Sequence, residues 1–359
     1  MQKEKISSFQ FFTMLFISRA LTTLTYLSSY TKDIRLSDML IQPIPRIIMG
    51  LVIMLPVCFL YKKAPEKSVF DRLRERSVAF AKFCAVIYSV IFFYFTVVTL
   101  ARLDLFAGTV VFPETDVNFL IIFAVICCAY GAFLGFEALG RSAVLSAILV
   151  IPAIAFIVIN LVDKVDFLNL SPVFYNGVTP VLKTAIDSMG QTVEYAIIAV
   201  ALPTVSGKKV KGYLIWLFLQ TFLMGVLFFF AVTVMGNFAS TQLFPFHTLA
   251  SLAEFSMFDR LDAVFTSVWI LGAFIKVGLL IYLQADILQT EFPKISRRSF
   301  IVIIAVFTIL LNLFVSGEVQ RFSYIDSSKI KIVLTIITAF LIPLIILLSK
   351  WGDKKCVKQ

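Results

Sequence analysis

Three ionisable side chains sit deep inside long apolar runs of this chain: Arg19, Glu194 and Lys276. A charge at the centre of a membrane helix costs about 2.5–3.5 kcal/mol on insertion scales, so each needs a partner or a task. The planar guanidinium of an arginine grips a carboxylate with two N–H donors. A glutamate suits an amine. Arg19 and Glu194 can therefore hold the two ends of an amino-acid-like ligand, or pair with each other and fix two helices together. Lys276, in the run VWILGAFIKVGLLIY, can carry a proton or stand in for a bound cation. It can equally point at a water-filled cavity or a nearby carboxylate. Ser18, Thr22, Thr23 and Thr25 stand around Arg19, and Gln191, Thr192 and Tyr195 stand around Glu194. Taken singly, such residues are ordinary helix packing. Clustered beside Arg19, they make a small polar pocket.

The elements that must position these groups are apolar segments, about ten in number, over residues 9–30, 45–61, 78–102, 117–136, 142–162, 181–203, 211–236, 262–285, 299–315 and 330–349. Stretches of about 20 apolar residues are long enough to cross a hydrocarbon core of about 30 Å. The first and sixth are the weakest, the first through Arg19 and its hydroxyl neighbours, the sixth through Asp187, Gly190, Gln191, Thr192 and Glu194. If ten helices divide into two halves of five, these are corresponding places. Polar or glycine-interrupted segments at matching places point to a transporter-type binding site. Only the sixth carries a glycine to permit a break. Pro56, Pro152 and Pro343 fall inside spans and should kink them, with neighbours absorbing the freed carbonyls. Lys183 and Asp187 lie nearer one end of segment six. Lys82 and Arg102 lie at the ends of segment three, where long cationic side chains can snorkel.

Composition fixes the class. Hydrophobic residues make up 60% and charged residues 15% of the 359, against about 25% charged in a soluble domain. Mean hydropathy is +0.94. The net charge of +10 raises the question of nucleic acid. With the N-terminus inside, however, the cytoplasmic segments hold 19 of the 32 Lys and Arg and the opposite side five. That is the positive-inside pattern, and it explains the basic balance without nucleic acid. It also predicts both termini in the cytoplasm. The start reads as a first crossing segment rather than a cleavable signal, because its apolar run is long and carries Arg19. Two longer loops, 163–180 and 237–261, fall on the outer side, the second holding the amphipathic stretch FPFHTLASLAEFSMF. His247 in that stretch is the only histidine, and it reads as a surface residue. The five cysteines form no CxxC. No metal site, cofactor or His-based catalysis is expected.

The stretch 243–282 resembles the spore-germination B-subunit permeases. Its matching residues are Pro245, the cluster Asp259-Arg260-Leu261-Asp262-Ala263, Trp269, and Phe274-Ile275-Lys276. Segment six, with Glu194 ahead of Pro203, is similar to the family's Glu…Pro segment. The resemblance implies the amino acid–polyamine–organocation superfamily. Its fold is all-α and LeuT-like, with ten transmembrane helices in a five-plus-five inverted repeat, here 9–162 and 181–349. It further implies nutrient recognition at the midplane between helices one, three, six and eight, and a complex with an A subunit and a C lipoprotein in the inner membrane of a bacterial spore. The expected function is a germinant-receptor permease subunit, with a proton-coupled amino-acid transporter as the alternative. Relatives usually break helix one at glycines. Here that place reads SRALTT, with no glycine, so Arg19 either supplies the carboxylate contact in place of the backbone or blocks the site, and the pattern favours side-chain recognition.

Overall fold

The computed structural model describes residues 5–25, 36–111, 117–171, 177–253, 262–315, 322 and 324–348. Helix α1 (Ser8–Leu24) is started by a capping box, in which Ser7 Oγ accepts from the Gln10 amide and Gln10 Oε1 accepts from the Ser7 amide. With neither glycine nor proline inside, α1 runs unbroken past Arg19 until Thr25, whose hydroxyl donates back to the Leu21 carbonyl at 2.8 Å. The part of the expected segment beyond residue 25 lies outside the described residues.

The chain continues through α2 (Pro43–Lys63), the short α3 (Val69–Arg74), α4 (Val78–Phe106), α5 (Val117–Leu134) and α6 (Phe136–Ile159). The expected gap between segments four and five is a single residue. Gly135 turns there at φ 101°, a left-handed angle that favours glycine, and α6 starts directly after it. Arg141 therefore lies on a helix rather than in a loop, beside Glu137 at 3.8 Å. Between α2 and α4 the Arg72 guanidinium donates to the Leu60 and Ala64 carbonyls at 3.0 and 2.6 Å. It thereby satisfies the end of α2, and burial lowers its pKa from the usual arginine value.

Segment six is broken, as its composition suggested. Helix α7 (Val178–Gly190) stops, Gln191 to Val193 leave the helix, and α8 (Glu194–Ala201) begins. Then follow α9 (Lys209–Met235), α10 (Pro245–Ser251), α11 (Asp262–Glu291), α12 (Arg297–Val315), α13 (Ser328–Ile336) and α14 (Ile342–Leu348). The described part of the amphipathic stretch holds the short α10, and residues 254–258 of it lie outside the described residues. Helix α11 is the centre of the bundle and packs against α1, α4, α5, α6 and α12. Its stretch from Ile275 to Leu283 is almost wholly buried, which is why it is apolar on every side apart from Lys276.

A π-turn at Ile337–Leu341 joins α13 to α14 ahead of Pro343. Proline lacks the N–H that the π register would send to the Thr338 carbonyl. The Tyr88 hydroxyl on α4 supplies that donor at 2.6 Å. A neighbouring helix thus absorbs the kink. At one end of the bundle, β1 (Ile6–Ser7) pairs in parallel with β2 (Val205–Ser206), tying the start of α1 to the chain leaving α8. Nothing in the residue pattern announced this clamp.

Seven helices among the described residues are long and apolar enough to cross a membrane, and the shorter stretches Asn118–Leu134 and Glu194–Thr204 are also apolar. Large apolar side chains such as Phe119, Phe123, Phe222, Phe307 and Phe314 point outward. Such a continuous apolar exterior suits lipid, not water.

Candidate functional site

The break in segment six creates two helix ends in the interior. The end of α7 presents unpaired carbonyls and a partial negative charge, and the start of α8 presents unpaired N–H groups and a partial positive charge. The chain answers both. Glu194 is the first residue of α8, so its carboxylate sits at the positive end. Arg19 on α1 reaches the negative end, donating to the Gln191 carbonyl at 3.1 Å and to Ser188 Oγ at 3.3 Å. Glu194 Oε1 accepts from Ser18 Oγ at 2.6 Å and from Lys276 Nζ at 3.1 Å. Lys276 also donates to Thr22 Oγ1 at 2.6 Å. Glu194 is 0% exposed and Lys276 2%, so these bonds form in a dry interior where each counts for more than in water.

The pairing differs from the expected one in a specific way. Arg19 and Glu194 do not bond to each other. The lysine of α11 takes the carboxylate, and the arginine is spent on the carbonyl end of α7. Lys276 meets the nearby carboxylate and at the same time lines a cavity. The other sequence-derived residues divide. Thr22 and Gln191 line two cavities, one on each side of the break. Arg19 and Thr23 line only the second of these. Thr23 and Thr25 also bond back to their own helix, and Thr192 Oγ1 donates to the Ser188 carbonyl at 3.0 Å. Tyr195 is wholly buried, edge-on to Trp216. Thr192 and Tyr195 hold the break in place and line neither cavity.

The first cavity lies among α1, α4, α11, Gln191 of the break and α13, with an empty volume of about 370 Å³, mouth included. Its polar wall is Thr22, Thr25, Gln191, Arg102, Lys276 and Lys331. The second, about 440 Å³, lies among α1, α7, α9 and the turn before α2, and carries Arg19, Asp187 and Gln42. Both are narrow in this conformation and admit water-sized guests. A third and wider cavity, about 1430 Å³, opens at the end where β1 meets β2, between α3, α8, α11 and the start of α12.

One part of the site escaped sequence reading. Arg102 does not snorkel. It is buried and grips Asp326 with two bonds, Nε to Oδ1 at 3.2 Å and Nη2 to Oδ2 at 3.1 Å. Lys331 on α13 donates to the same Oδ1 at 2.5 Å. Two chain regions remote in sequence, α4 and the segment from Asp326 to Lys331, meet there. The only available signal was Lys331 just inside the start of the last apolar segment. Arg46, equally buried, rests on Gln220 Oε1 and Met224 Sδ. His247 is not a plain surface group, since its ring lies edge-on to Phe106 and Phe265 at 5.5 and 5.6 Å. Asp259, Arg260 and Leu261, three residues of the matching cluster, lie outside the described residues.

A helix broken at a buried charged site inside an apolar bundle is the arrangement of a membrane permease. The sequence profile described as spore germination protein matches residues 5–318. The chain belongs to the spore germination permease family. Spore germination protein XB of Bacillus anthracis is 24% identical over 253 residues, covering 67% of this chain and 68% of that protein. Among solved structures, a Na+-coupled sialic acid symporter in a substrate-bound outward-open state superposes with a TM-score of 0.62 at 13% identity, covering 94% of this chain and 79% of the symporter. MhsT in complex with L-phenylalanine gives 0.48 at 14% identity, over 97% and 100% of the two chains. The symporter likeness establishes a transporter fold for this permease. It is a germination-related, multi-pass membrane protein.

Proposed function

We propose that this permease is the ligand-recognising membrane subunit of a germinant receptor. The ligand is small and amino-acid-like and binds in the cavity beside the break. The observation that carries this reading is the place of that cavity. It joins α1, α4, the break and α11, the four segments that the family resemblance assigns to nutrient recognition, and its polar wall includes the Lys276 that holds Glu194. Ligand entry widens the cavity and shifts the packing of α11 against α1 and α8. Partner subunits, an A subunit and a C lipoprotein, read that shift. The reading includes ten crossing segments as two inverted halves, 9–162 and 181–349, with both termini in the cytoplasm of the spore's inner membrane. It assigns the protein no enzymatic step.

A proton-coupled amino-acid transporter is the second reading. The wide cavity at the β1–β2 end favours it, because a ligand released from the break would meet an open exit there.

The first reading is tested by thermal unfolding of the purified full-length protein against each of the twenty amino acids. At a concentration one hundred times its Kd, a true ligand adds about 2.7 kcal/mol of stability. Thr22→Val and Gln191→Leu should shrink that shift at equal ligand concentration. A folded protein that no amino acid stabilises would overturn the proposal.

A further inference from the structure

The wall of the first cavity has one sign of charge. Lys276 comes to it from α11, Arg102 from α4 and Lys331 from α13. Its other polar members, Thr22, Thr25 and Gln191, are neutral, and no carboxylate lines it among the described residues. Glu194 and Asp326 hold these cations from behind. Glu194 takes Lys276 through Oε1, and Asp326 takes Arg102 and Lys331. Each acid anchors its cations without entering the cavity. The remaining wall is apolar, with Phe95, Val98 and Trp269 among it.

We infer that the ligand of this cavity carries a net negative charge, as a dicarboxylate or an acidic amino acid does, and that its carboxylates settle among Lys276, Lys331 and Arg102. This rests on the reading that the cavity is the ligand site. Three cations against the two acids behind them leave one positive charge in excess, and away from water that excess attracts an anion because little solvent screens it. A monocarboxylic zwitterion fits less well. Its carboxylate is matched, but its ammonium must lie within a few ångströms of like charges, with no acid on the wall to receive it. Arg102 commits its Nε and Nη2 donors to Asp326, so it acts on the ligand, like Lys276 and Lys331, as a positive charge, and the three charges sit at three places on the wall, spaced for more than one carboxylate oxygen. The short apolar remainder suits a skeleton of a few carbons.

The test measures binding of succinate, L-glutamate, L-alanine and L-lysine to the purified full-length protein by titration calorimetry at one pH and ionic strength. Succinate or glutamate should bind at least about tenfold tighter than alanine or lysine, a difference of about 1.4 kcal/mol. Lys331→Gln should remove that preference. Arg102→Lys keeps the charge on the wall but loses the two-bond hold on Asp326 that positions it, and it should weaken the anion by a smaller factor. If Lys331→Gln does not fold, Arg102→Lys alone decides the location. Tighter binding of alanine or lysine would overturn the inference while leaving a ligand site at the break. Anion binding indifferent to both variants would overturn the assigned place. Silence of all four, with stabilisation by some other amino acid in the twenty-member screen, would overturn the inference and spare the receptor reading. Silence in both experiments would overturn both.

Discussion

The central residue is Glu194, a fully buried carboxylate held by Ser18, by Lys276 and by the start of its own helix. A buried ion pair contributes little net stability relative to apolar packing, but losing one partner leaves the other charge uncompensated. Lys276→Met keeps an unbranched side chain one atom shorter and removes the ammonium. It should lower stability by about 3–5 kcal/mol. Adding Glu194→Gln to that variant removes the stranded charge and should recover much of the loss, since residues in direct contact do not act additively. Thermal unfolding of the parent, both single variants and the double variant in detergent gives the coupling. A Lys276→Met protein as stable as the parent would mean the pair does not hold α11 to α8. Ser18, Arg19, Glu194 and Lys276 were legible as buried polar groups in need of partners, because polar groups in apolar runs carry a visible cost. Their pairing was not legible. Whether Arg19 meets a carboxylate or a carbonyl depends on the rotation of α1 and on where α7 stops, and spacing along one chain fixes neither.

At the scale of elements, the break between α7 and α8 was placed correctly, but Gly190 does a different job from the one expected. Its backbone is not left-handed, so glycine is not there for an unusual torsion. It is there because α13 passes too close. A Cβ on Gly190 would lie 2.5 Å from Ile332 Cγ1 and 2.8 Å from the Ile332 backbone, and Thr335 Oγ1 donates to the Gly190 carbonyl at 2.9 Å. Gly190→Ala should therefore force α7 and α13 apart and cost about 1–3 kcal/mol, as overpacking does. Gly225, inside α9, has only Pro43 Cγ at 3.7 Å from the same probe atom. Gly225→Ala should be neutral or stabilising by up to about 1 kcal/mol through helix propensity. Comparing the unfolding temperatures of the two variants separates close approach from a general dislike of substitution at glycine. Equal effects would remove the contact argument. The apolar helices and the break were readable from hydropathy and from the run SMGQT. The Ile332 contact, the Tyr88 donor behind Pro343 and the Arg102–Asp326–Lys331 cluster were not, because each joins segments distant in sequence.

The whole molecule places narrow cavities around the break and a wide one at the end where β1 and β2 clamp α1 to α8. A receptor and a transporter use such a shape differently. A receptor needs only two packings and a ligand that prefers one. Moving the population from 1:99 to 99:1 requires a preference of about 5.5 kcal/mol, within reach of a few buried charge contacts. A concentrating transporter also needs an ion that crosses with its ligand. In this permease the cation beside Glu194 is the ammonium of Lys276, tethered to α11 and bonded to Thr22 as well. A tethered ammonium cannot cross with the ligand as a free ion does, and it can drive uptake only by losing and regaining a proton on each cycle. The receptor reading therefore expects binding without accumulation. The full-length chain in proteoliposomes, given radiolabelled ligand and an imposed proton gradient, should equilibrate no faster than empty vesicles. Accumulation above the outside concentration that collapses with a protonophore, and that disappears in Lys276→Met, would overturn that expectation and make Lys276 the proton carrier of a transporter.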